Sequence, residues 1–140
     1  MTNSKTSSKV LPVLFFLTLC ADQMSKFFAT VLGLNIQYNS GISFGILSQL
    51  DTKLLTVLLC ILIYFLFVSF RAIWSKNESA TGLFFGGAVA NLFDRFNFGA
   101  VRDWLPIPFT QIQNNVADWA IFAGIVLLIF NYKRVIDSRE

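Results

Sequence analysis

The stretch NLFDRFNFGAVRDWLPIPFTQIQNNVAD, Asn91 to Asp118, lies between two apolar runs and carries Asn91, Asp94, Arg95, Asp103, Asn115 and Asp118. Charged groups at or near bilayer depth are costly and face a protein interior or a water-filled cavity, so each one is a functional-site hypothesis. This stretch is the candidate active site, and the apolar runs on either side of it decide the fold. Of the 140 residues, 55% are hydrophobic and 16% aromatic, with a mean hydropathy of +0.63. Soluble domains have an apolar share of roughly 45–50%. The chain therefore reads as a membrane protein, mainly α, forming one domain over residues 1–140.

Immediately upstream, Thr81 to Phe93 is a short apolar run that ends in NLFDR. Its Gly86, Gly87, Ala88 and Ala90 would let neighbouring helices approach closely, which predicts a packed central helix. Before it, residues 71–80 read as a short basic loop with Trp74 as an interfacial anchor. Leu54 to Phe70, bounded by Lys53 and Arg71, is the clearest span. Gly33 to Asp51, GLNIQYNSGISFGILSQLD, predicts small strands and turns, then a short amphipathic piece at the interface.

Residues 10–33 give a first span carrying Asp22 and Lys26, four apart with the acid first, which on a helix can pair. A cleaved leader is disfavoured, because Leu19 is large where a small residue is needed and apolar character resumes after Met24. Downstream, Val116 to Tyr132 gives a fourth span. Lys5, Lys9, Arg71, Lys76, Lys133, Arg134 and Arg139 fall on one side of this arrangement, against Lys53 and Arg102 on the other. The excess predicts cytoplasmic termini, with residues 34–53 and 97–115 outside. The expected architecture is four transmembrane helices with a small periplasmic β-rich segment and a short interfacial amphipathic helix.

The net charge of +3 comes from basic residues flanking the apolar runs, so no nucleic-acid partner is implied. Cys20 and Cys60 lie inside apolar runs and read as small hydrophobes. The absence of histidine excludes a Ser-His-Asp triad, a Cys-His pair and an H-E-x-x-H zinc site. Acid-base chemistry must then use carboxylates or lysine.

Asn91, Asp94 and Arg95 are spaced to share one helix face, as are Asn115 and Asp118. Asp103 can fold back toward Asp118 through a linker containing Pro106 and Pro108. Two neighbouring carboxylates do not easily both ionise, so one holds a proton as general acid while the other activates water. Asn91, Asn115 and Arg95 would orient this pair. The blander possibility is that Asp103 sits in a solvated turn and Asp118 caps a helix.

Five ordered motifs resemble the lipoprotein signal peptidases (signal peptidase II): Asp22-Gln-Met-Ser-Lys26, Asn39-Ser-Gly41-Ile-Ser-Phe44, Gly86-Gly-Ala-Val-Ala-Asn-Leu-Phe-Asp-Arg95, Val101-Arg-Asp-Trp104 and Asn115-Val-Ala-Asp118. The resemblance implies an aspartic endopeptidase of the bacterial inner membrane that needs no metal or cofactor. Its substrate would be a prolipoprotein cut just before a diacylglyceryl-modified cysteine, with the surrounding membrane lipid as a further partner and globomycin as an inhibitor. It also implies catalytic roles for Asp103 and Asp118. Asn39, Gly41, Asn91, Asp94, Arg95 and Asn115 would bind substrate or support the pair, Asp94 packing with Arg95 and Asn91, while Asp22 and Lys26 would be structural. The chain departs from the family's usual Val-Val-Asp-Phe at Val101-Arg102-Asp103-Trp104, has Ala90 for Gly and Ser43 for Ala, and has a shorter loop between the aspartates. Arg102 beside Asp103 is expected to favour the ionised carboxylate. The rivals are an intramembrane relay through Asp22, Lys26, Asp94 and Arg95, an assembly subunit, and a Ser-Lys peptidase using Lys26 with Ser25 or Ser43.

Overall fold

The computed structural model describes residues 9–41 and 51–137. The long helices are α1 (Val10–Val31), α2 (Thr52–Ser69), α4 (Glu78–Phe98) and α5 (Val116–Asp137), with one short turn of helix, α3 (Arg71–Trp74), between α2 and α4. Strand β1 (Gln37–Asn39) pairs antiparallel with β2 (Val101–Asp103), placing Gln37 opposite Asp103 and Asn39 opposite Val101. A second small ladder joins β3 (Leu105–Pro106) to β4 (Gln113–Asn114). The interfacial amphipathic piece and Ser43 lie outside the described residues.

Helix α4 is the centre of the fold, packed against α1 on one side and α5 on the other. Its glycines make this possible. A Cβ at Gly82 would stand 2.8 Å from the Leu11 carbonyl oxygen of α1, one at Gly86 2.7 Å from that of Phe15, and one at Gly87 2.5 Å from that of Ala117 in α5. Backbone therefore meets backbone where any side chain would intrude, which is how helices associate without a hydrophobic driving force between them. The helix runs on past Phe93 to Phe98, because Asp94 and Arg95, which look like a terminus in sequence, find partners inside the protein. It ends at Gly99, whose φ of +71° lets the chain reverse into β2.

Apolar side chains cover the outside. Phe16, Phe27, Ile61 and Phe65 are each about 60% exposed, and α1 and α2 are long and apolar enough to cross a membrane. Trp74 departs from its expected role as an interfacial anchor. It is buried, stacked on Phe84 at 5.3 Å with its indole N–H donating to the Leu66 carbonyl at 3.0 Å, and it pins the corner between α2 and α4.

Candidate active site

Asp118 sits in the first turn of α5, where a helix leaves backbone N–H groups without intrahelical partners and favours negative charge. Asn115 caps that turn, its Oδ1 accepting from the Asp118 N–H at 2.9 Å. Asp22 of α1 takes another of these groups, accepting from the Ala117 N–H at 2.8 Å. Asp103 arrives from the opposite direction at the end of β2. Successive strand residues point to opposite faces, so Asp103 and Arg102 look different ways.

The Asp103 carboxylate accepts from Asn115 Nδ2 at 2.6 Å and from Asn39 Nδ2 at 3.2 Å. Asp118 accepts from Asn91 Nδ2 at 2.8 Å. In all three asparagines the amide orientation is fixed from behind, because each Oδ1 is already an acceptor: from the Gly41 N–H at 3.1 Å in Asn39, from Lys26 Nζ at 3.2 Å in Asn91, and from the Asp118 N–H in Asn115. Each NH2 is thus obliged to face a carboxylate. Asn115 bridges the two acids, holding the backbone of one and the side chain of the other.

Both carboxylates line a cavity of about 680 Å³ between α2, α4 and α5. Asn39, Asn91 and Arg95 share its polar end, and its walls are apolar residues such as Leu62, Leu66 and Ile125. Arg95 spends its guanidinium on the Ser40 carbonyl at 3.0 Å and on that of Gly41. Burial pushes the Asp103 carboxyl up to about 6; the bonds from Asn115 and Asn39 pull it back, while the charge of Asp118 adds to the rise. A carboxyl that keeps its proton into the weakly acidic range beside a second carboxyl is the arrangement that supplies a general acid and a general base together.

Behind this pair is a second polar cluster, in which Asp22, Lys26 and Asp94 are fully buried. Lys26 Nζ lies 2.7 Å from Asp22 and 3.1 Å from Asp94, and Arg102 reaches Asp94 at 2.8 Å. Two sequence expectations change here. Asp94 pairs with Lys26 and Arg102, not with Arg95 and Asn91, because it faces α1 and β2 while Arg95 turns to the β1 side. Arg102 does not act on Asp103 as a neighbour, because strand alternation sends it to Asp94, Gln23 and the face of Phe98. Gln23, unnoticed in sequence beyond its place in a motif, donates to Asp22, to Asp94 and to the Ala90 carbonyl. Ser25 donates to the Asp22 carbonyl at 2.7 Å, and Lys26 is held between two carboxylates, so no Ser25–Lys26 nucleophile is assembled.

Residues 14–134 match the family described as Signal peptidase (SPase) II. The chain is 36% identical over 107 residues to a lipoprotein signal peptidase of Aquifex aeolicus, covering 68% of this chain and 62% of that protein. It is 33% identical over 133 residues to one from Rickettsia africae, covering 84% and 63%. With one from Nitrobacter hamburgensis it shares 35% identity over 124 residues, covering 79% and 72%. The chain thus spans a little under two thirds of the first two relatives. A solved bacterial membrane enzyme superposes with a TM-score of 0.71 at 21% identity, covering 92% of this chain and 90% of that one, which shows a common fold.

Proposed function

The chain belongs to the signal peptidase II family, and from that premise we propose that it is an aspartic endopeptidase that removes the signal peptide of diacylglyceryl-modified prolipoproteins by cutting just before the lipidated cysteine. The observation that carries this reading is the convergence of Asp103 and Asp118, held by three amide donors of fixed orientation, at the polar end of an apolar cavity. The pair shares one proton. The ionised carboxylate takes a proton from water as the water oxygen adds to the scissile carbonyl carbon, and the protonated carboxyl donates to the carbonyl oxygen. Collapse of the tetrahedral intermediate breaks the C–N bond: the proton first taken from water passes to the departing amine, and one hydroxyl proton of the intermediate returns to the carboxylate that had acted as acid as the new carbonyl forms, which restores the shared proton. No metal or other cofactor is required for these steps.

In this reading α1, α2, α4 and α5 span the bacterial inner membrane within one peptidase domain, with both termini cytoplasmic and the site at the periplasmic side. The apolar walls suit the signal peptide, and the diacylglyceryl chains rest in lipid beside the outward helix faces. Globomycin would occupy the same cavity. The test is cleavage by the purified protein in lipid of a diacylglyceryl prolipoprotein and of its unlipidated form. Only the first is cut; equal cleavage of both, or of neither, overturns the proposal. Orientation is checked by thiol labelling of Asn77→Cys, which reacts from the cytoplasmic side only.

A further inference from the structure

Arg102 is the residue this chain places directly before a proposed catalytic aspartate, and its contacts exceed what a charge-neutralising cation needs. Its backbone N–H donates to Asp94 Oδ2 at 3.0 Å, its Nε to the same oxygen at 3.3 Å, and its Nη2 to Asp94 Oδ1 at 2.8 Å. The Nη2 group also donates to Gln23 Oε1 at 3.0 Å, and the guanidinium lies 4.1 Å over the Phe98 ring. One carboxylate on α4 therefore grips both the backbone and the side chain of a single β2 residue. Gln23 ties the same fork to α1. The cluster also balances, because the buried carboxylates Asp22 and Asp94 are met by the cations Lys26 and Arg102.

We infer that Arg102 is a positioning residue for the peptidase reaction, fixing β2 on α4 and α1 through Asp94 and Gln23 so that Asp103, on the opposite face of the strand, is presented to the cavity at the reach of Asn39, Asn115 and the substrate. The argument is geometric. β2 is three residues long and, among the described residues, has β1, itself three residues, as its one ladder partner, and a ladder of this size does not hold its own position. The planar guanidinium, with donors in fixed directions, can brace it, and a lysine ammonium at the same place cannot reproduce the fork. A misplacement of about 1 Å in a reacting group costs on the order of 10²-fold in rate.

This inference rests on the peptidase reading, and the two fail differently. Arg102→Met and Arg102→Lys are compared with the unaltered chain on a diacylglyceryl prolipoprotein, with kcat expressed per folded enzyme, and amide exchange is followed over residues 37–39 and 101–103. Arg102→Met lowers kcat about 10–100-fold with KM within about twofold, Arg102→Lys falls between it and the unaltered chain, and exchange in β1 and β2 quickens in the same order. Should Arg102→Met fail to fold, the lysine variant, which keeps the charge, decides by the same two readouts. Normal kcat per folded molecule in a folded variant, a loss confined to KM, or unchanged exchange in β1 and β2 overturns the inference while leaving the peptidase reading intact. An unaltered chain that cleaves nothing overturns that reading instead, while the exchange measurement still reports whether Arg102 braces the strand.

Discussion

Asp22 and Asp94 meet cations, whereas Asp103 and Asp118 meet amides. The first two are fully buried and enclosed by Lys26, Arg102 and Gln23. The second two open on the cavity, and among the described residues no cation forms an ion pair with either. A cation within contact distance matches a carboxylate's charge, while a neutral amide orients a carboxylate without matching its charge. One pair of acids is tied to cations that hold helices together, and the other is held in position by amides at the cavity.

The sharpest break between the two regions is chemical. Asp103→Asn and Asp118→Asn each lower kcat by roughly 10²–10⁴-fold, and the double variant falls no further than the worse single one, because members of a catalytic unit lose activity non-additively. All three remain folded, as checked by thermal unfolding alongside the cleavage assay.

In the ion cluster the same kind of substitution acts on folding. Asp94→Ala leaves Lys26 and Arg102 facing an unmatched site, and breaking a buried pair from one side costs about 3–5 kcal/mol. The yield of folded protein and the unfolding midpoint both drop, and if Asp94→Ala is as stable as the unaltered chain, the division between the regions is wrong.

Asn91 joins the two regions, accepting from Lys26 and donating to Asp118. Asn91→Leu removes a hydrogen bond to a charged group, worth about 1.5–3 kcal/mol, and kcat falls roughly 10–100-fold with a smaller change in unfolding midpoint than Asp94→Ala gives.

The smallest effect is on pH dependence. Burial favours the neutral form of Asp103, so its contribution to stability is fully present below its ordinary value of 3.8 and is lost as pH rises through about 6. Denaturation midpoints measured between about pH 4 and 7 decline over this window, and the decline is shallower in Asp103→Asn.

Much of this was legible in the sequence because hydropathy and small-residue spacing are local signals. The apolar runs marked α1, α2 and α5, and Gly86 and Gly87 marked α4 as the helix that others approach. The meeting of Asp103 with Asp118 could be inferred from a proline-containing linker too short to cross a bilayer. The partners of Asp94 could not. Whether Asp94 faces Arg95 or Arg102 depends on the rotation of α4 against α1 and on the register of β2 with β1, and a three-residue strand carries no periodicity from which to read either. Asn39 was visible as a turn residue; its bond to Asp103 depends on a pairing across 64 positions of chain.

The contact between Asp22 and the start of α5 spans 95 positions. A ribosome delivers Asp22, Asn39 and Asn91 well before it delivers Asn115, Ala117 and Asp118, and the cavity has no second acid beside Asp103 until α5 has emerged and docked against α1. On the proposed peptidase reading, the nascent chain therefore carries one carboxylate of the pair and no partner for it until translation has passed residue 118.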